Sequence, residues 1–575
     1  MLSTNSNLLN VFVKIRKSDV SESYGSFDVF NTFLICAVVL KAKNIGLSLD
    51  KSSKELCNEL YGKDCLGILN DIDIKNLSAF EEISETDLRT YLLDYQSVLS
   101  TIGKRNAEFF IPEKIISLFC KILDLTDSDK LNMIGEPCSI SALQVANSYS
   151  VSKFYSYSMY YKNKEFAEIL SDALGFNIEY ICGEYYGFNY VELANKVISV
   201  PMWNCSTEHN VMGQYLIEKG YAPSHYNSAE AGILFALDAL TEDGIAVVCV
   251  PLNLIQKSGT PVFKDIIDKK QLKAVISLPG GLFSSTDIKT AILILSKKPV
   301  NTVRFVNGSE FFTKNRKLRN ELSDTNIMEI TNAYYNKSEY AKDVSTEEIR
   351  TKNYSLNCIN YFVEPKIIIP GIGRNKYPFV KISDLLTAKP IRGTLIKSEV
   401  LDSEVGNTSY RYLTSKNIVD NEIDIEQITE IPEQDKKVNK YCLKENDIII
   451  SVVTTDVIKV AIAKDIGDLK IVMSNMLYKL TPNPDKVHPL FLKAVLSNPA
   501  ASRLFKVYST GTGATSTLPI DVLCNTEITL PPLEKQNMFV KNYEDLMNTR
   551  HMLVEQIHKI DKSKDLLFLK SFQEK

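Results

Sequence analysis

At 575 residues, 45% of them hydrophobic and 24% charged, the chain is too long for a single core and reads as three or four globular domains. Its formal net charge of −4 excludes a protein coated all over with basic charge, while leaving room for a local basic face. No apolar run reaches the roughly eighteen residues needed to cross a bilayer. The first twenty residues, with Lys14, Arg16 and Lys17, carry no apolar stretch and cleavage site, so no signal peptide and a cytoplasmic location are expected.

The N-terminal region, 1–105, reads as mainly helical. Val29 to Val39 is an apolar helical run, and Leu88, Tyr91, Leu92, Tyr95, Val98 and Leu99 recur at helical spacing. From 106 to 365 short β-branched runs alternate with amphipathic stretches: Ile245 to Val250, Lys273 to Leu278 ahead of Pro279-Gly280-Gly281, and Thr290 to Leu295. Alternation of that kind predicts an α/β domain built on a parallel, doubly wound sheet. From 366 to 532 short strands dominate (Asp447 to Val453, Val460 to Ala463, Leu469 to Met473), which predicts an α+β or mostly β domain. It holds an acidic stretch, Asp420 to Asp435, and a segment, 456–510, in which Lys and Arg outnumber Asp and Glu eight to four.

The last region, 533–575, follows Pro531 and Pro532, which suit a helix start. There Phe539, Tyr543, Leu546, Arg550, Leu553, Ile557, Ile560, Lys564 and Leu567 alternate in steps of four and three. This is a heptad seam on one helix about 60 Å long. It either packs on the chain's own domains or pairs with a second copy. The eleven cysteines and five histidines show no Cys-x-x-Cys pair and no metal-ligand spacing, the nearest cysteines being Cys57 and Cys65. Free thiols and no metal are expected.

Ordered motifs carry a resemblance to a known family. Ala107-Glu108-Phe109-Phe110-Ile111-Pro112 resembles the Gly-Glu-Phe-Tyr-Thr-Pro sequence at the entry of type I restriction-modification adenine-N6 DNA methyltransferases. Residues 243–251, 272–283 and 289–297 are similar to their later strands, and 353–362 to the end of that domain. The second half resembles a half-length specificity subunit of the same systems, in 379–385, in 440–451, and in Ile528-Thr529-Leu530-Pro531-Pro532-Leu533-Glu534-Lys535-Gln536 directly before the heptads. The resemblance implies a Rossmann-like methyltransferase domain over 106–365, a DNA target-recognition domain over 366–532 and a dimerising coiled-coil helix over 533–575.

The same resemblance marks departures. Family members carry Asp-Pro-x-x-Gly-x-Gly in the first strand-to-helix turn, where the backbone approaches the cofactor closely. The stretch here is Gly135-Glu136-Pro137-Cys138-Ser139-Ile140-Ser141, so Ser139 and Ser141 replace glycines. The acid that would hold the ribose of S-adenosylmethionine is missing near Ser158, and Glu184 after Gly183 is a remnant of a Gly-Asp pair. Asn-Pro-Pro-Phe/Tyr, which holds and stacks on a flipped adenine, becomes Val200-Pro201-Met202-Trp203. A one-residue slip puts Ser199 at the Asn position and loses the aromatic. Trp203 is open to two readings, a stacking platform or a core residue.

No bound cofactor is therefore expected, with S-adenosylmethionine required only if the enzyme is active. Double-stranded DNA is the expected ligand, contacted by Lys459, Lys464, Lys479, Arg503 and the small-residue loop Thr510-Gly511-Thr512-Gly513. That loop reads equally as a hairpin connection. Three functions stay open: a catalytically silent sequence-specific DNA-binding protein working with restriction or defence partners as a homodimer, an active adenine-N6 methyltransferase, and a scaffold without DNA binding.

Overall fold

A computed structural model describes residues 29–62, 77–93, 111–135, 138–158, 161–183, 191–203, 205–208, 210–223, 228–256, 259–283, 286–315, 319–368, 376–401, 408–453, 457–509 and 516–573. The chain divides into two compact units, Met1–Phe362 and Val363–Lys575.

The first unit is organised by strands whose residues are buried on both faces. β1 (Lys130–Ile134), β2 (Lys153–Ser158), β3 (Glu179–Cys182), β4 (Ala194–Ser199), β5 (Leu240–Pro251), β6 (Leu272–Ser277), β7 (Thr290–Ser296), β8 (Thr302–Asn307) and β9 (Ala341–Ser345) form one sheet in the order β9-β8-β6-β7-β5-β4-β1-β2-β3. Every residue of β7 is buried, as expected for a sheet covered by helices on both sides. One face carries α4 (Glu113–Leu123), α5 (Cys138–Ser148) and α10 (Asp324–Tyr335) over Leu131, Met133, Ile198, Val247 and Ile276. The other carries α7 (Val211–Glu218), α8 (Ser228–Asp238) and α9 (Pro261–Asp268) over Ile134, Val197, Val248 and Val275. Among the helices before β1, α1 (Val29–Asn44), α2 (Ser53–Tyr61) and α3 (Glu85–Leu93) share a core with α6 (Tyr161–Leu174) through Phe33, Leu56, Leu88, Phe166 and Leu170.

The β-branched runs read from the sequence are strands β5, β6 and β7. Two strands depart from a uniformly parallel sheet: β9 is antiparallel to β8, and β7 is antiparallel to both β5 and β6. No helix lies between β6 and β7 among the described residues. A chain that returns without a crossover helix comes back antiparallel.

The second unit is built from short strands. In one sheet the strand Ile391–Arg392, β14 (Leu477–Leu480), β11 (Ile448–Ser451) and β12 (Val460–Ile462) lie side by side, each antiparallel to the next. In another, β10 (Tyr410–Leu413) pairs in parallel with β13 (Lys470–Met473). Two helices, α11 (Pro489–Leu496) and α12 (Pro499–Tyr508), start on prolines at a first-turn position that needs no N–H. The last helix, α13 (Leu533–Gln573), is 41 residues long.

Its first four turns are held by the unit. Gln536 is fully buried; its Oε1 accepts from His488 N–H at 2.8 Å and its Nε2 donates to Pro531 C=O at 2.7 Å. Phe539 packs edge-on to Phe491, Glu544 meets Lys464 at 3.3 Å, and Arg550 meets Asp420 at 2.6 Å. Beyond that point Leu553, Ile557, Ile560 and Leu567 are 54%, 55%, 66% and 69% exposed.

Gly393 lies where the two β systems of this unit touch. Its N–H donates to Leu477 C=O at 3.0 Å, and a Cβ there would lie 2.2 Å from the Ser474 carbonyl oxygen and 2.5 Å from that of Met473. Both obstacles are backbone, so neither can swing aside. Gly393→Ala is expected to destabilise the second unit by about 1–3 kcal/mol or more, measured as a lowered thermal unfolding transition; an unchanged transition contradicts this packing.

Candidate functional site

In an open α/β sheet, ligands settle outside the carboxyl ends of the strands where strand order reverses. Here the reversal falls between β1 and β4. The positions singled out in the first half gather at that edge. Val200 N–H donates to Ile134 C=O at 3.0 Å, Gly135 N–H to Tyr157 C=O at 3.1 Å, and Gly183 N–H to Ser158 C=O at 3.0 Å. The ends of β1, β2, β3 and β4 are thus laced together.

Gly135 and Gly183 both have positive φ, 132° and 142°, a conformation that a side chain disfavours. Close backbone geometry therefore persists at the ends of β1 and β3, although the residues after Gly135 are not glycines. Ser139 and Ser141 lie in the first turn of α5. The Ser141 hydroxyl is buried without a hydrogen-bond partner. Ser158 is fully buried at the end of β2. Glu184 falls outside the described residues.

Val200 is buried and Pro201 follows it into the core. Ser199, the alternative register, has a buried hydroxyl with no partner. Trp203 is half-buried; its indole N–H donates to Cys249 C=O at 3.3 Å and its ring meets Phe283 edge-on at 5.1 Å. Ser228 donates its hydroxyl to Met202 C=O at 2.8 Å and accepts from Cys205 N–H at 3.1 Å. These bonds hold the Val200–Trp203 loop in one shape. They involve Cys249 and Phe283, inside stretches that resemble the family's later strands, and Ser228, which no quoted motif marks.

In the second unit the four basic candidates separate. Lys459 is half-buried, its ammonium donating to Ser415 C=O at 2.7 Å. Arg503 is exposed on α12, and the residues just before the two, Ile458 and Ser502, are joined by a bond from the Ile458 N–H to the Ser502 hydroxyl at 3.2 Å. Lys464 follows the opposite end of β12 and is ion-paired to Glu544. Lys479 is a correction. It is 7% exposed, donates to the carbonyls of Cys442 at 2.7 Å and Lys440 at 3.1 Å, and lies 3.9 Å from buried Asp447. Burial pushes its ammonium below the usual lysine range, the Asp447 carboxylate opposing. Placed this way, Lys479 is a structural cation and not a DNA contact. Thr510, Gly511, Thr512 and Gly513 lie outside the described residues.

The charge window also passed over Arg392. It is exposed on an edge strand, and its Nε donates to Asn475 C=O at 2.6 Å, 83 residues away in the chain. Among the described residues no three His, Cys, Asp or Glu gather to hold a metal, and no helix is long and apolar enough to cross a membrane.

Residues 183–367 match the N-6 DNA methylase family, and residues 375–562 match the type I restriction modification DNA specificity domain. The chain is similar to the type I restriction enzyme MpnII methylase subunit of Mycoplasma pneumoniae, 26% identical over 330 residues, covering 51% of this chain and 60% of that one. It is also 24% identical over 345 residues to the type I restriction enzyme MjaVII methylase subunit of Methanocaldococcus jannaschii, covering 52% of this chain and 59% of that one. The match thus spans under two thirds of either relative. A type I restriction-modification methyltransferase subunit of Streptococcus thermophilus, solved as a crystal structure, superposes with a TM-score of 0.45 at 19% identity over 61% of this chain and 86% of that one.

Removing the Lys479 side chain leaves two carbonyls without a donor and Asp447 without its cation. Lys479→Ala is expected to cost about 3 kcal/mol in thermal or denaturant unfolding while leaving the salt slope of any DNA binding unchanged. Full stability together with weakened, less salt-sensitive binding restores Lys479 to the DNA surface.

Proposed function

We propose, from the premise that this chain joins an N-6 DNA methylase domain to a type I restriction-modification DNA specificity domain, that it is a sequence-specific double-stranded DNA-binding protein of a restriction-modification or phage-defence system, working in the cytoplasm, whose methylase fold no longer transfers methyl groups. One observation supports the second half of that reading: the crevice between β1 and β4 is laced by backbone bonds, and among the described residues at its edge Ser158 and Val200 are buried and carry no charge.

The residues present fit S-adenosylmethionine poorly. Ser158 offers a buried neutral hydroxyl where a carboxylate would bond the ribose diol, and Ser139 and Ser141 stand in the turn that glycines would open. Each missing charged bond is worth roughly 1.5–3 kcal/mol, so two of them weaken binding by about a hundredfold or more. An adenine amine brought to the crevice finds the side chain of Val200, which has no acceptor. Trp203, held by Cys249 and Phe283, offers an aromatic edge to a base or a partner without chemistry of its own. The competing reading, an active adenine-N6 methyltransferase, draws support from the positive φ of Gly135 and Gly183.

DNA binding rests on the specificity domain, with Lys459 and Arg503 as phosphate contacts. Phosphate contacts make affinity fall steeply with salt. The full chain is expected to shift duplex DNA in a salt-sensitive way, and K459E with R503E to weaken that binding about tenfold or more, while calorimetry with S-adenosylmethionine gives no saturable heat. Micromolar cofactor binding, or transfer of a labelled methyl group to adenine, promotes the active-enzyme reading; a chain that shifts no genomic fragment removes the DNA-binding one.

Self-association runs through the far half of α13. Its apolar row from Leu553 to Leu567 is exposed, whereas Phe539, Tyr543 and Arg550 are used inside the unit. An exposed heptad stripe of that length favours a two-fold helix pair, which presents two recognition domains to a split site. Light scattering of the full chain is expected to report a dimer and that of residues 1–550 a monomer. A full chain that stays monomeric at micromolar concentration refutes this.

A further inference from the structure

The sheet formed by Ile391–Arg392, β14, β11 and β12 ends in a row of groups that come from four separate stretches of chain. Gly393 N–H donates to Leu477 C=O at 3.0 Å, Val452 N–H to Met476 C=O at 2.8 Å, and Leu518 N–H to Val452 C=O at 2.8 Å. Val453 is bridged to Thr517. The Tyr478 hydroxyl donates to Leu518 C=O at 2.9 Å. The end of this sheet is therefore tied across Gly393, β14, the end of β11 and the Thr517–Leu518 segment, and presents its side chains from a rigid frame.

On that frame Arg392 stands opposite Tyr478 in the ladder, and Met476 follows Asn475 in the turn that leads into β14. Arg392 is exposed and Met476 is 42% exposed. The Nε–H of Arg392 is committed to Asn475 C=O at 2.6 Å. That bond orients the guanidinium plane and leaves its two terminal amines without a hydrogen bond or ion pair among the described residues.

We propose that Arg392 is a base-reading residue of this protein and selects a guanine in the major groove, with Met476 as the apolar contact beside it. The inference rests on the DNA-binding reading above. Two parallel N–H groups in one plane match the O6 and N7 acceptors that guanine alone presents together in that groove. An arginine whose plane is already fixed loses less freedom on making that pair. A phosphate contact asks for charge without a fixed plane, and Arg503 and Lys459 supply charge of that kind elsewhere in the unit. A thioether next to the fork suits the face of a base or a thymine methyl and adds nothing to a phosphate.

The test uses the full chain. Wild type, R392A and R392K are each used to select duplexes from a random-sequence DNA library. Affinities for the selected duplex and for a scrambled one are then measured over a range of salt, with thermal unfolding confirming that each variant is folded. Wild type is expected to select a site holding a fixed guanine. R392A is expected to lose that guanine preference by about 5- to 150-fold, R392K to recover little of it, and both to keep scrambled-duplex affinity and the salt slope. R392A selecting the wild-type site with undiminished preference overturns the assignment. So does a loss equal on both duplexes with the salt slope reduced by about one, which marks a phosphate contact. If wild type binds no duplex at all, the DNA-binding reading itself has failed and takes the assignment with it.

Discussion

The hydrogen bond from Val200 N–H to Ile134 C=O closes the junction where the order of the large sheet reverses. β1 runs outward to β2 and β3 on one side, and β4 leads to β5 on the other, so the two halves of the sheet meet only along this pair. Its register sets Ile134 level with Ser199 on one flank and with Tyr157 on the other. Because the pairing is parallel, all of these strands end at one edge, and residues far apart in sequence become neighbours there. The arrangement depends on strands that are apolar on both faces, which only a sheet sandwiched between two helix layers tolerates.

That dependence separates what holds the fold from what the side chains at its edge can do. The backbone lacing at the β1, β2 and β3 ends is made by main-chain groups and by glycines at positive φ. It is indifferent to whether residue 158 carries a hydroxyl or a carboxylate, or residue 200 an amide or a methyl pair. Val200 adds its side chain to one of the two hydrophobic layers.

In the second unit desolvation sorts the cations. Lys479 is buried among carbonyls beside Asp447, Lys493 is buried with its ammonium on the Tyr543 hydroxyl at 3.2 Å, and Lys464 and Arg550 are spent on acids. Charges drawn into the frame hold the long helix and the sheet in place. Arg392 and Arg503 are among the cations left at the surface. The same frame divides α13: its first turns are clamped around Gln536, and the remainder carries an exposed apolar row.

The sequence by itself determined the elements whose signal is local. The runs at 245–250, 273–278 and 290–295 are strands because β-branched residues bounded by turns admit little else, and the helix after Pro531-Pro532 follows from heptad spacing and a proline start. Tertiary structure alone decided the antiparallel return of β7, the positive φ at Gly135, the locking of Trp203 by Cys249 and Phe283, and the division of the heptad seam at Arg550. It also moved Lys479 from candidate surface to core and brought Arg392 to Asn475. The reason is physical. Periodicity and side-chain branching act within a few residues and are written along the chain. Whether a charge is in water or among carbonyls depends on partners that arrive from tens of residues away, and only the folded backbone sets those distances.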